Sequence, residues 1–188
     1  MTLSYPTDLS DAQWKILEPL LPKARPGGRP RSVNLRRVID AILYVLSSSR
    51  AWRLLPHDFP KWKTVYHYFR QWRNEGIWQQ QVHERLRQWV RAVECDRPPS
   101  PSAGVIDSQS VKTGKMVSKE VGYDGGKKVR GRKRHLLVDT LGLMVVAVVT
   151  AANVPEGAGL QKLLLAAREF QVNPERLIVT RTIDCYLC

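Results

Sequence analysis

The sequence predicts an α+β protein in which a helical first half precedes a half built from strands and a helix. Apolar residues recur at three- and four-residue spacing along much of 10–93, as in amphipathic helices. Residues 96–102 read Asp-Arg-Pro-Pro-Ser-Pro-Ser, a linker composition stiffened by three prolines. Short apolar runs bounded by glycine, proline and polar residues follow, as in strands. The predicted domains are therefore 1–95 and 103–188, joined by a linker at 96–102.

Four helices are predicted in the first half. Ser10 is a good N-cap for the first helix, which Pro22 ends. The clearest amphipathic pattern covers 35–46, and further helices are predicted at 62–73 and 77–93.

The helix at 62–73 combines an apolar stripe with outward bases. Val65, Phe69 and Trp72 fall on one face, and the other positions carry Lys63, His67, Arg70 and Arg73. This pattern favours the recognition helix of a helix-turn-helix unit, with an ordinary basic surface helix as the alternative.

The segment 22–34 holds three prolines and several bases, so it cannot be regular structure. Its Gly-Arg-Pro-Arg element, which contains Arg29 and Arg31, is predicted either to lie in a DNA minor groove or to be a solvated basic linker.

The charge of the chain points to a polyanion. Thirty Lys and Arg residues against 17 Asp and Glu give a formal net charge of +13. Such an excess favours nucleic acid as the partner. No apolar run is long enough for a membrane span and no signal-peptide pattern is seen, so we expect a cytoplasmic protein. Cys185 and Cys188 have zinc-like spacing, but without a second pair incidental thiols are favoured.

Asp107 follows the apolar run 103–106, which suits a buried strand. A carboxylate at the end of a strand is held by rigid backbone and suits a hard cation such as Mg²⁺. The alternative is that Asp107 only starts a turn.

A basic run follows before the next predicted strands. Six of the eight positions 127–134 are basic, namely Lys127, Lys128, Arg130, Arg132, Lys133 and Arg134. The run is predicted to hold phosphates near Asp107, with a solvated hairpin tip as the alternative. Strands at 134–140 and 143–150 then form a hairpin through Leu141-Gly142, and a helix at 157–170 leads to a strand at 176–180.

Three ordered blocks resemble the catalytic domain of DDE transposases of bacterial insertion sequences, the insertion-sequence-five group. The blocks are 107–112 (Asp-Ser-Gln-Ser-Val-Lys), 123–135 and 138–143, and in the first half 9–14 and 53–56 resemble the DNA-binding domain of the same group. The resemblance implies a ribonuclease-H-like second domain, Mg²⁺ or Mn²⁺ as cofactor, double-stranded DNA at element ends as partner, and Asp107 as the first catalytic, metal-binding carboxylate.

The resemblance fails near the C-terminus. The family has a second Asp in an Asp-Gly-x-Tyr element and a Glu on a later helix, whereas 177–188 lacks the glycine and ends. Asp184 lies near the position of the second catalytic and metal-binding Asp; the alternative is that a change of reading frame after Val179 placed it there by chance. Glu156 also departs from the family, which commonly has Asp there. We therefore expect a C-terminally truncated or frame-split chain with an incomplete ribonuclease-H-like domain.

These patterns predict a transposase that binds element ends and contributes to metal-dependent strand cleavage and transfer. Its expected protein partner is a second copy of the chain or the product of a second reading frame. The alternative is a catalytically inactive DNA-binding fragment or regulator of transposition, since we expect this chain to bind DNA without cleaving it unaided. A basic RNA-binding module explains the charge but not the block at Asp107.

Overall fold

A computed structural model of the chain describes residues 5–24, 27, 31–113, 120–169 and 176–179. It divides into two compact units, Met1–Leu86 and Arg87–Cys188. Helices form the first unit and the sheet lies in the second, which confirms the predicted α+β order. The predicted linker falls within the second unit by this division, and the exact domain limits stay a prediction. Within the described ranges, no helix is both long and apolar enough to cross a bilayer.

The helices of the first half lie where the apolar periodicity predicts them. The α-helices are α1 (Asp11–Leu17), α2 (Leu35–Ser48), α3 (Trp62–Asn74) and α4 (Glu84–Trp89). Short 3-10 turns cover Glu18–Leu20 and Trp52–Leu54, and π-helical turns cover Trp78–His83 and Val90–Glu94. The predicted helix at 77–93 is thus a succession of π and α turns.

Both ends of α1 have a local cause. Ser10 is the N-cap as predicted: its Oγ accepts from the Gln13 amide at 3.2 Å, and Gln13 Oε1 accepts from the Ser10 amide at 2.9 Å. The α-helix ends at Leu17, and a 3-10 turn continues to Leu20, so helical structure stops close to Pro22 as predicted. Pro19 explains the change of helix type, because it has no amide proton for the α-helical hydrogen bond.

Two apolar clusters form the core of the first unit, and α2 contributes to both. One cluster contains Val38, Ala41, Ile42, Val45, Leu55, Phe59 and Val65, and the other contains Leu17, Leu21, Ile39, Trp72, Ile77 and Val82. Two stripes along α2 therefore face different partners, one through Val38 and Ile42 and the other through Ile39. The predicted inward face of α3 is confirmed for Val65 and Trp72, which are buried.

The polar face of α2 holds the segment before α1 in place. The Arg37 guanidinium lies 3.3 Å from an Asp8 carboxylate oxygen and 3.5 Å from Asp40. Asp40 also accepts from the Leu9 amide at 3.0 Å. Burial raises the pKa of Asp40, since removal from water disfavours its charged form. Arg37 and the Leu9 amide compensate that burial, which ties residues 8–9 to α2.

The second unit contains a sheet centred on a long strand. In the described part of the chain the strands are β1 (Ala103–Lys112), β2 (Gly122–Asp124), β3 (Val129–Asp139), β4 (Met144–Ala151) and β5 (Arg176–Val179). β1 pairs with β3 in antiparallel fashion from Gly104 opposite Asp139 to Lys112 opposite Gly131. β2 and β4 pair with successive parts of the other edge of β3. β5 lies parallel to β1.

Two predicted strand limits are wrong. β1 continues through Asp107 to Lys112, and β3 begins at Val129 rather than near 134, while β2 was not predicted. The reason is mutual pairing, because each strand satisfies the backbone hydrogen bonds of the other far beyond its apolar stretch. Gly131 permits this pairing: a Cβ there would lie 1.9 Å from the Val111 carbonyl oxygen.

The helix α5 (Glu156–Glu169) is the crossover between β4 and β5 and covers one face of the sheet. Leu163 and Ala167 pack with Ile106, Leu137 and Val146. Gly159 lets the helix approach closely, because a Cβ at this position would come within 2.0 Å of the His135 ring. The predicted hairpin, crossover helix and parallel strand are thus observed.

A buried ion pair holds the start of β1 against the β3–β4 turn. Arg91 Nη1 lies 2.5 Å from Asp139 Oδ2, and Arg91 Nε donates to the Pro98 carbonyl at 2.8 Å. Asp139 Oδ1 accepts from the Leu141 and Leu143 amides, both at 2.9 Å. The carboxylate is fully shielded from solvent and fully partnered, so its role is structural.

Replacing this carboxylate tests that role. Asp139→Asn keeps an oxygen for the turn amides but leaves the Arg91 charge buried without its counter-charge, so we expect a loss of about 3 kcal/mol in the free energy of unfolding. Asp96→Asn is the control, since Asp96 is exposed and surface changes usually stay within about 0.5 kcal/mol. Urea unfolding followed by circular dichroism measures both. Equal stability of the two variants would contradict this account.

Candidate active site

Asp107 is the fifth of the ten residues of β1 and lies opposite Leu136 of β3. The last described pair between β1 and β5 is Ile106 with Val179, one residue before Asp107. Only 6% of Asp107 is exposed, and its Oδ1 is buried without a hydrogen-bond partner among the residues that the structure describes. A buried carboxylate oxygen without a partner is unfavourable in a purely structural residue and points to a ligand.

A cavity of about 230 Å³ lies beside Asp107. It is lined by Ile106, Asp107, Ser108, His135, Glu156, Gly157 and Leu160. Ile106 and Ser108 lie on the face of the sheet that α5 covers, and His135 stands opposite Ser108 on β3. The cavity therefore lies between this part of the sheet and the first turns of α5.

Ser108 and Glu156 meet at the wall of this cavity. Ile106 and Ser108 lie on the face of the sheet that α5 covers, and Glu156 is the first residue of that helix. The Ser108 hydroxyl donates to Glu156 Oε1 at 3.4 Å. The crossover helix therefore brings a second carboxylate to the cavity that Asp107 lines.

His135 is the aromatic member of the lining and is only 2% exposed. Thr150 Oγ1 donates to the Ala151 carbonyl at 3.2 Å, so it accepts from His135 Nε2, 3.1 Å away. This assigns the proton of the neutral ring to Nε2. Burial, and then the charge of Lys133, lower the pKa of His135, so the ring is neutral at pH 7.

Strand alternation divides the basic run 127–134. Lys128, Arg130 and Arg134 are exposed, Arg132 is half-buried, and Lys127 lies in the turn before β3. Lys133 faces the other side of the sheet, where its Nζ lies 3.5 Å from Asp124 and donates to the Val154 carbonyl at 3.2 Å. The charge of Lys133 is thus balanced within the fold.

Asp124 organises the turn that carries Lys127. It accepts a 2.6 Å hydrogen bond from the Ser110 hydroxyl and bonds from the Gly126 and Lys127 amides, both at 3.1 Å. The Ser110 bond, followed by the Lys127 amide, holds the pKa of Asp124 at about 2. The Lys127 side chain reaches back to the Ser108 carbonyl, 3.1 Å from its Nζ. One predicted DNA-binding base therefore lies beside the cavity.

The bases of α3 all point to solvent. Lys63, His67, Arg70 and Arg73 are exposed. At about 100° per residue, Lys63, His67 and Arg70 fall within about 60° of the helix circumference. They therefore form one continuous basic face opposite Val65 and Trp72.

Other predicted site residues lie elsewhere. Arg31 donates to the Pro22 carbonyl at 3.1 Å, and its guanidinium lies 5.9 Å from the centre of the Tyr68 ring, so it braces the loop before α2. Arg29 and Asp184, together with the Cys185 and Cys188 pair, lie outside the described residues.

Comparison with known proteins identifies the family. Residues 9–83 match the model described as "Putative transposase of IS4/5 family", and residues 98–182 match a transposase DDE domain. The chain is 30% identical over 112 residues to the "Insertion element IS402 uncharacterized 16.2 kDa protein" of Burkholderia cepacia, an alignment that covers 55% of this chain and 72% of that protein. The chain belongs to the IS4/5 transposase family. No solved structure gives a significant match.

A DDE transposase domain implies a ribonuclease-H-like fold and a divalent metal cofactor. The unpartnered Asp107 Oδ1 and the carboxylate chemistry of the cavity wall fit such a cation, because hard divalent ions prefer oxygen ligands. Among the described residues of this transposase chain, no cluster of three or more His, Cys, Asp or Glu side chains is arranged to hold a metal. A cation site at Asp107 therefore stays a prediction.

The position of Glu156 was missed by sequence reasoning. The sequence did contain a signal for it, namely an acidic residue at the start of a predicted crossover helix. When such a helix leads back to a parallel strand, its first residues lie near the centre of the sheet. The sequence alone could not show that α5 begins at Glu156 and contacts Ser108.

The neutral, buried His135 predicts a pH effect on stability. Its folded pKa lies below the ordinary value of 6.5, so below that pH the unfolded chain binds the additional proton. Stability from this residue is therefore present above about pH 6.5 and is lost as the pH falls through the window below it. We expect the drop in Tm between pH 7.5 and 5.5 to be smaller in His135→Gln than in the wild type, as measured by circular dichroism. Identical drops would refute this assignment.

Proposed function

We propose that this chain binds the DNA ends of an insertion element and takes part in metal-dependent strand cleavage and transfer. The observation that carries the proposal is Asp107, a buried carboxylate that lines a cavity and has an oxygen without a partner among the described residues. Family membership makes the DDE reaction class the expected chemistry. In that class a water and then a DNA 3′ hydroxyl attack a phosphodiester in line with the leaving oxygen.

The residues of the cavity suit this reaction. Asp107 would hold a divalent cation, which when bound stabilises the attacking and leaving oxygens. Lys127 lies at the Ser108 carbonyl and provides positive charge for a phosphate next to the cavity. The bond from the Lys127 amide to Asp124 keeps that lysine near β1. Such a fixed position matters because catalysis by positioning is lost with displacements of about 1 Å.

We propose α3 as the helix that reads the element end, as in a helix-turn-helix unit. Its inward face is fixed by buried Val65 and Trp72, while Lys63, His67 and Arg70 present one basic face. Such a helix can enter a major groove with its outward side chains against bases and phosphates.

A second DNA surface is proposed on the sheet. Arg130 and Arg134 are exposed on the face opposite α5, and Lys128 is exposed beside them. These bases would contact phosphates and so hold the strand register without reading sequence. Lys133 is left out of this surface because Asp124 already balances its charge.

The second candidate function is a regulator that occupies element ends without cutting them. It is favoured by one observation: the sequence 177–188 does not contain the Asp-Gly-x-Tyr element that carries the second acid in the group that the chain resembles. A DDE enzyme needs several acids to hold its cations at the right separation.

The α3 proposal predicts a selective loss of DNA binding. Arg70→Gln removes a base from the proposed reading face, so we expect weaker binding to an element-end duplex. If one phosphate contact is lost, the slope of log K against log salt concentration should decrease in magnitude by about 0.9. Lys15→Gln, at an exposed position of α1, is the charge-matched control. Fluorescence anisotropy against salt concentration measures both. Equal effects of the two substitutions would show that net charge, rather than α3, determines binding.

Cleavage separates the two candidate functions. With the enzyme proposal we expect Mg²⁺- or Mn²⁺-dependent nicking of an element-end duplex, abolished in Asp107→Asn and retained in Asp96→Asn, while DNA binding stays intact in both. A gel assay with a labelled duplex reports nicking and binding from the same samples. Specific binding without nicking by the wild-type chain would favour the regulator.

A further inference from the structure

We propose that Glu156 is a second carboxylate of the cation site at Asp107, supplied by the crossover helix α5. The inference rests on the proposed function, because it concerns the same cavity. Glu156 lines that cavity together with Asp107 and contacts the residue that follows it, through the 3.4 Å bond from the Ser108 hydroxyl.

The balance of charge at the cavity is the first argument. Among the described residues its lining contains two carboxylates and no lysine or arginine, although the whole chain carries a formal net charge of +13. Lys127, whose side chain reaches the cavity wall, bonds the Ser108 carbonyl rather than either carboxylate. Two acids at one cavity, one of them buried with an unpartnered oxygen, attract a cation from solution.

The fixed position of the helix start is the second argument. The Lys133 ammonium donates a 3.2 Å hydrogen bond to the Val154 carbonyl, and the Gly159 amide donates to the Pro155 carbonyl at 3.1 Å. At Gly159 the missing side chain lets α5 lie against the His135 ring. Glu156 therefore extends from a backbone that is held on both sides, as a ligand-binding group requires.

The size of the cavity is the third argument. Its volume of about 230 Å³ is many times the roughly 10–15 Å³ that a cavity needs to hold one water. Mg²⁺ usually keeps several waters and is bound through one or two carboxylates. The space at Asp107 and Glu156 thus accommodates a hydrated divalent ion, which is consistent with the lack of a closed cluster of three ligands in the described chain.

Mn²⁺ binding tests the inference without requiring activity. We would titrate the full chain with Mn²⁺ and measure free ion by electron paramagnetic resonance for the wild type, Glu156→Gln, Glu156→Asp and Asp107→Asn. The control is Glu94→Gln, the same chemical change at an exposed position of the second unit. We expect Glu156→Gln to weaken binding by about tenfold or more, Glu156→Asp to recover part of the loss, and the control to bind like the wild type.

The outcomes separate this inference from the proposed function. If Asp107→Asn loses Mn²⁺ while Glu156→Gln binds as tightly as the control, the inference is overturned and the cation site at Asp107 stands. If the wild-type chain binds no Mn²⁺, both this inference and the proposed cation site at Asp107 are overturned. Glu156 is exposed, so Glu156→Gln should fold, and circular dichroism checks this. If Glu156 only stabilises the start of α5, Glu156→Gln will lower Tm and leave the Mn²⁺ affinity unchanged.

Discussion

The buried contact between Arg91 and Asp139 is the constraint on which the second unit depends. Asp139 closes the β3–β4 turn through two backbone amides, and it stands opposite Gly104 at the start of β1. Arg91 adds the Pro98 carbonyl to the same contact. The chain that enters β1 and the turn that leaves β3 are therefore fixed at one point. Since a shift of one residue would move every side chain of β1 to the other face, this contact also determines which residues of β1 meet the cavity.

From that fixed end, the register of β1 and β3 determines the site. Ile106 lies in the core beneath α5, Ser108 reaches the start of that helix, and Asp107 lies between them. Pairing with β3 continues from Gly104 to Lys112, well past Asp107 on both sides. It therefore fixes the backbone that carries the carboxylate.

The sequence predicted those parts of the structure that local chemistry decides. Helix periodicity, the Ser10 cap and the apolar face of α3 depend on neighbouring residues, and the structure agrees with them. The start of β3 was misjudged because Arg130 and Arg132 do not form an apolar pattern, and only pairing with β1 makes them strand residues. The basic run looked uniform for the same reason. Alternation along β3 buries Lys133 beside Asp124 and leaves Arg134 exposed, a distinction that composition cannot show. The Ser108 to Glu156 contact joins residues 48 positions apart, so no local pattern could predict it.

The distribution of charge explains how a strongly basic chain could keep a place for a cation. Bases on the exposed parts of α3 and β3 would attract DNA over a wide surface, yet the same bases close to Asp107 would neutralise the carboxylate and displace a metal ion. The structure separates the bases that would attract DNA from the carboxylates that would hold a cation. Lys133, the buried base of β3, is paired with Asp124, and Lys127 is bound to a backbone carbonyl. Within the described part of the chain, neither lysine is bonded to Asp107 or Glu156. The two carboxylates would repel a DNA phosphate drawn to the surrounding bases unless a divalent cation lay between them. Cation binding and productive DNA binding would therefore depend on each other.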